Sequence, residues 1–248
     1  MANWSDPRPT ASAFGASVPG TRGTAYDAGL RKYMLSVYNY MASGVLLTGI
    51  VALLFASGGR ESLAAQIFMA PGILKYVIMF SPLAFVMVLS FGINRLSTGA
   101  AQAIFWTFAA VMGMSMSTIF LVYTGSSIAT TFFATAVAFL SLSVYGYTTK
   151  RNLQAFGTFL IMGVVGLIVA SLLNLWMQSS ALQMGISAIG VLLFAGLTAY
   201  DTQRIKLMYE HVAGTDMMGK AIIMGALSLY LDFINMFQFL LSFLGSRE

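Results

Sequence analysis

Apolar residues run through this chain in long, nearly unbroken stretches rather than at a spacing that marks one face of a helix or strand. Crossing the hydrocarbon core of a bilayer takes roughly 20 predominantly apolar residues in a helix. Seven stretches qualify, at residues 34–55, 76–93, 101–123, 128–147, 156–177, 182–200 and 221–244. The links between them are short except for residues 56–75 and 201–220, so no aqueous domain fits between spans. The pattern predicts an all-α integral membrane protein, one seven-transmembrane-helix bundle over residues 31–248. Residues 1–30 are rich in Pro, Gly, Ser, Thr and Ala without periodicity, and are expected to form a mobile N-terminal tail. They are not a signal peptide, because the first apolar run begins only near Val37.

Composition sharpens this picture. The chain is 58% hydrophobic and 8% charged, against about 25% charged residues in soluble domains. The formal net charge of +5 sits at the ends of the apolar runs, which points to membrane topology and away from nucleic acid. With the N-terminus inside, the cytoplasmic connections hold ten Lys and Arg and the outer ones three, namely Arg60, Lys75 and Arg247. Lys and Arg collect on cytoplasmic loops, so a cytoplasmic N-terminus and, after seven crossings, an outer C-terminus are expected. A re-entrant last segment is the alternative, since it carries an Asp in its middle. Small residues at spacing four, Ala109, Gly113 and Ser117, predict close helix packing. The absence of cysteine excludes disulfides and thiolate metal sites.

No catalytic constellation is present, and an enzyme is not expected. The single histidine, His211, lies in a connection, and no phosphate loop, HExxH or EF-hand pattern occurs. Two of the eight acidic residues fall outside tail, loops and terminus: Asp201, in "GLTAYDTQRIK", and Asp232, in "LYLDFINMF". Asp232 lies about 12 residues from either end of its segment, near mid-membrane. An Asp there costs about 2.5–3.5 kcal/mol on insertion scales, so a partner or a wet cavity is expected. Asp201 lies where the sixth span meets the cytoplasmic side, close to Arg204 and Lys206, and is either an interfacial carboxylate balanced by them or half of a site. Arg95, at the cytoplasmic end of the second span, is a third candidate, as an ion-pair partner of Asp201. If the two carboxylates lie within about 4–6 Å they share a proton and form a pH sensor without histidine. Deprotonated, the same pair of carboxylates is a hard-oxygen site suited to Ca²⁺. Ser228 and Asn235 share a helix face with Asp232, and Tyr200, Gln203 and Tyr230 are expected to extend a polar network.

At these residues the sequence resembles the Bax inhibitor-1 family (the TMBIM group, with its bacterial YccA- and YetJ-like members). "FAGLTAYDTQRIK" (194–206) and "ALSLYLDFINMFQFLLSFLG" (226–245) match its paired signatures, and "INRLSTGAAQAIFWTFAAVMG" (93–113), "SVYGYTTKRNL" (143–153) and Gly163 and Gly166 add to them. The resemblance spans roughly residues 30 to 245. It implies a last helix at the centre, wrapped by the other six; the positive-inside bias fits a bacterial inner membrane, with a eukaryotic endomembrane as the alternative. The resemblance further implies a pH-sensitive calcium leak in which Asp201 and Asp232 share a proton and Arg95 latches Asp201. The expected partners are then lipid, protons and Ca²⁺, with no cofactor and a monomeric chain. A second reading makes the protein a modulator of an FtsH-type membrane protease, gripped by its tail. A proton-coupled transporter finds no inverted repeat or broken helix pair to support it.

Overall fold

The computed structural model describes residues 19–246, of which residues 19–25 are described by backbone alone. Every element among them is helical: α1 (Pro19–Ala56), a 3₁₀ turn (Gly59–Glu61), α2 (Leu63–Phe68), α3 (Leu74–Gly92), α4 (Thr98–Met116), α5 (Ile119–Val122), α6 (Gly125–Thr148), α7 (Gln154–Met177), α8 (Ser180–Val212) and α9 (Met218–Leu244). Seven spans are long and apolar enough to cross a membrane, with α4 and α5 forming one of them. Large apolar side chains point outward along them, Trp176 at 90% exposure and Phe91 at 81%, a surface suited to lipid.

Two boundaries differ from those expected. Residues 19–30, assigned to the tail, continue as the start of α1, and Leu30 is already buried. Pro19 opens that helix, where its fixed φ and missing N–H are no handicap. The tail proper, residues 1–18, lies outside the described residues. At the other boundary, the sixth span does not end at Tyr200. α8 runs three turns further, through Asp201, to Val212. Polarity rises at Asp201, but the next helix stop is Gly214, whose φ of 75° ends the turn.

α9 forms the axis. It packs mainly against α8, α1, α6 and α4, while α3 lies outside against α4 and α7 outside against α8. Four helices rather than six therefore wrap it directly. Half of its most apolar window is buried, more than in any other described span. It is also continuous: a Cβ on Gly219, near its start, would lie 2.8 Å from Thr98, and its end reaches Tyr123 at the opposite end of the α4–α5 pair. Its 27 residues make about 40 Å of unbroken helix, long enough to cross a bilayer in one pass.

Helices in a bilayer gain no hydrophobic drive from meeting one another; small residues and polar contacts hold them. Both devices appear around α9. A Cβ on Gly113 would lie 2.6 Å from the Thr48 carbonyl, so α1 and α4 touch backbone to backbone there. Thr48 Oγ1 donates to the Ala109 carbonyl at 2.8 Å, which leaves Tyr230 OH as donor in its 2.6 Å bond to Thr48. Buried Ser117 completes the small stripe. Gly146 of α6 abuts the Ala199 carbonyl of α8, bringing these two helices together two residues before Asp201.

Candidate functional site

The site grows out of the α8–α9 contact, the most extensive helix pair in the bundle. Gln183, Ser187, Gly190, Phe194, Leu197, Asp201 and Arg204 recur on α8 at alternating steps of four and three. Gly225, Ser228, Asp232, Asn235, Phe239 and Ser242 do the same on α9. Such spacing keeps one seam of each helix facing its neighbour. The two seams run antiparallel in a register that three contacts fix. Ser187 Oγ lies 3.0 Å from Ser242 Oγ, the Phe239 ring covers Gly190, and Gly225 faces Ile205.

That register sets Asp201 level with Ser228 or Leu229, and Asp232 correspondingly level with Leu197 or Thr198. Three to four residues separate the two positions, so the aspartates are offset by about 4.5–6 Å along the bundle. Their charges act on one another across the seam. The continuation of α8 makes this geometry possible. Measured from Tyr200 as a helix end, Asp201 would lie far shallower than Asp232. Measured from Val212 it lies about 16 Å in, against about 21 Å for Asp232 from Met218.

Both aspartates are buried, Asp201 at 9% exposure and Asp232 at 4%. Asp201 makes an ion pair with Arg204, N–O 3.5 Å, one turn further along the same helix. Asp232 Oδ2 is buried with no hydrogen-bond partner. Such an orphan is rare in a folded interior and marks a place for a proton, a water or a cation. Around them lie Thr198, Thr202 and Ser143, all buried, with Thr202 Oγ1 donating to Ser143 Oγ at 3.5 Å.

The remaining expected residues divide. Ser228 and Asn235 stand on the seam, Asn235 with its amide donating to the Leu231 carbonyl at 2.8 Å. Tyr230, two residues before Asp232, points the other way and binds Thr48. Gln203 staples the chain before α7, accepting from Leu153 N and donating to the Arg151 carbonyl, each at 2.8 Å. Tyr200 lies against Gly157 of α7. These three brace the helices and do not extend the carboxylate network.

Arg95 requires a correction. It is exposed in the turn after α3, and the ion pair of Asp201 is with Arg204 instead. An i,i+3 partner on a continuing helix is in place as soon as the helix forms, whereas Arg95 would have to reach from α3, which packs on α4. Sequence reasoning named Arg204 only as a neighbouring cation; carrying the helix on to Gly214 would have set it one turn from Asp201. No group of three or more His, Cys, Asp or Glu gathers among the described residues. A cavity of about 450 Å³ opens between α1, α5, α6 and α9, but its lining, including Val45, Phe132 and Phe233, is almost wholly apolar and contains neither aspartate.

The family model described as "Inhibitor of apoptosis-promoting Bax1" matches residues 30–248. The chain belongs to the Bax inhibitor family. Similar members cover nearly its whole length. An uncharacterized protein of Rickettsia prowazekii is 46% identical over 92% of this chain and 95% of its own. One from Caulobacter vibrioides is 44% identical over 95% and 97%. The inner membrane protein YbhL of Escherichia coli K12 is 44% identical over 89% and 94%. Together with the seven apolar spans, these members make the chain an integral membrane protein of that family.

Proposed function

We propose that this protein is a pH-sensitive leak path for Ca²⁺, gated by the Asp201–Asp232 pair. The observation that carries the reading is a buried carboxylate oxygen, Asp232 Oδ2, left unpartnered within one turn of a second buried carboxylate. A mid-membrane carboxylate kept at this cost belongs to an ion or proton pathway by default. Two such groups facing each other share a proton, and the protonated pair presents one charge fewer to a cation. Deprotonated, they offer hard oxygens of the kind Ca²⁺ takes, beside the hydroxyls of Ser228 and Thr202. Ca²⁺ needs 6–8 oxygens, more than this seam supplies, which fits a passing, partly hydrated ion better than a resident one. Arg204 takes the role first expected of Arg95: a cation that holds Asp201 when no Ca²⁺ is present.

The charged groups acting on the pair, among the described residues, are the two carboxylates and Arg204. Lys206 is turned to α6, where it donates to the Tyr147 carbonyl at 2.8 Å. The protease-modulator reading rests on a tail of which residues 1–18 lie outside the described residues, so the ion path is the reading favoured by geometry. Ca²⁺ flux in proteoliposomes tests it. Asp201→Asn and Asp232→Asn are each expected to change the flux and flatten its pH response. Wild-type flux with wild-type pH response in both variants overturns the proposal.

A further inference from the structure

The seam that holds the aspartates continues beyond them. At the end of the bundle where α9 finishes lies a polar cavity of about 390 Å³, lined by Asn174, Gln178, Ser179, Gln183 and Ser242 among others. Its oxygens are organised by a hydrogen-bonded chain. Asn174 Nδ2 donates to Gln183 Oε1 at 3.0 Å, Gln183 Nε2 to Ser242 Oγ at 3.3 Å, and Ser187 lies 3.0 Å from Ser242 on the inner side. The chain turns sharply to build it: Gln178 adopts φ 49°, and Asn174 Oδ1 accepts from Ser179 N at 3.0 Å.

Between this cavity and Asp232 the seam is blocked at one level. The Phe239 ring lies over Gly190 so closely that a Cβ there would come 2.6 Å from it. It stacks on Phe194, with centroids 5.8 Å apart and planes 23° apart. One turn further along the same face come Asn235 and then Asp232. The order along the seam is thus polar cavity, two stacked rings, then an amide and two carboxylates.

We infer that this cavity is the far-end mouth through which a small hydrated cation reaches Asp232, and that the Phe194–Phe239 stack is the barrier closing it. The inference rests on the ion-path reading and adds the route and its constriction. The mouth supplies neutral amide and hydroxyl oxygens, which replace part of a hydration shell without trapping the ion. The ring pair excludes water while stacked. Gly190 leaves room for Phe239 in that pose, and a ring hinged at χ1 needs only a rotamer change to leave it.

The chain has no cysteine, so single-cysteine variants of the full protein report water access without interference. A small charged thiol reagent applied in proteoliposomes is expected to modify Ser242→Cys readily and Asn235→Cys at least about tenfold more slowly. In a Phe239→Ala background the Asn235→Cys rate should rise toward that of Ser242→Cys, with Ca²⁺ flux increased severalfold and lost again when Asp232→Asn is added. Phe194→Ala should act likewise, while Phe239→Leu, which keeps an apolar side chain in place, should leave Asn235→Cys protected. Equal labelling at both positions in the unaltered background, or an Asn235→Cys rate indifferent to Phe239→Ala and Phe194→Ala, overturns the inference. Labelling that opens as expected while no variant passes Ca²⁺ keeps the mouth and barrier and removes Ca²⁺ as cargo, which is a failure of the earlier reading alone.

Discussion

Arg204 and Asp201 stand one turn apart on one helix, so their 3.5 Å contact forms with α8 and requires no tertiary arrangement. Among the described residues Asp232 has no such local partner, and the charges acting on it, Asp201 and Arg204, come from the facing helix. The two carboxylates are therefore unequal. One is balanced by a guanidinium that is itself half exposed, and the other depends on what enters the seam. Removing the guanidinium removes the cation that favours an ionised Asp201, so protonation of the pair becomes easier. Arg204→Gln is accordingly expected to move the pH at which flux changes upward, modestly because the guanidinium is partly in solvent. Arg95→Gln should leave that pH where it is. Flux titrated against pH in the two variants decides between the cations, and a shift produced by Arg95→Gln alone would return the latch to α3.

At the scale of the helix, what governs the site is where α8 ends and how closely its neighbours approach. The seven apolar runs and both aspartates were legible in the sequence because hydropathy and misplaced charge are one-dimensional signals. The similar depth of the two aspartates was not, because a span that ends on polarity and a helix that ends on a stop residue are different things. From Asp201 to Val212 the residues are polar enough to leave the bilayer yet remain good helix formers, and only Gly214 halts them. Tyr200, Gln203 and Tyr230 were misjudged for a related reason: proximity in sequence does not tell which face a side chain takes, and Tyr230 lies two positions, hence about 200° of rotation, from Asp232. Glycines carry the packing information the runs lack. Gly146→Ala would drive a methyl into the Ala199 carbonyl, a backbone neighbour that cannot rotate away, and is expected to destabilise the bundle by about 1–3 kcal/mol. Gly166→Ala, in α7, meets nothing within 4 Å and should be neutral or stabilising by about 0.5–1 kcal/mol. Unfolding of the two variants in mixed micelles, compared with the unaltered chain, separates them. Equal stability would mean that α6 and α8 do not meet at Gly146.

At the scale of the whole molecule, the axis helix and the charge distribution fix different things. α9 takes its contacts from α1, α4, α6 and α8, which shields Asp232 from lipid whichever way the bundle is inserted. The direction of insertion comes from the cations. The helix order brings Arg31, Lys32, Arg95, Lys150, Arg151, Arg204, Lys206 and Lys220 toward one end, and leaves Arg60 and Lys75 near the other. Lys and Arg near span ends are retained on the cytoplasmic side, so the basic end is expected inside. The polar cavity beside Ser242 then opens to the exterior, and the route past Phe239 leads inward from it. Ser57 and Ser246 lie at the end away from the basic cluster and Thr149 lies within it, each on a connection or terminus where a cysteine disturbs little. In intact cells, a membrane-impermeant maleimide should label Ser57→Cys and Ser246→Cys, and Thr149→Cys only after permeabilisation. The reverse pattern would invert the bundle without altering the seam, and the carboxylates would then be reached from the exterior by way of Arg204 instead of the phenylalanine pair.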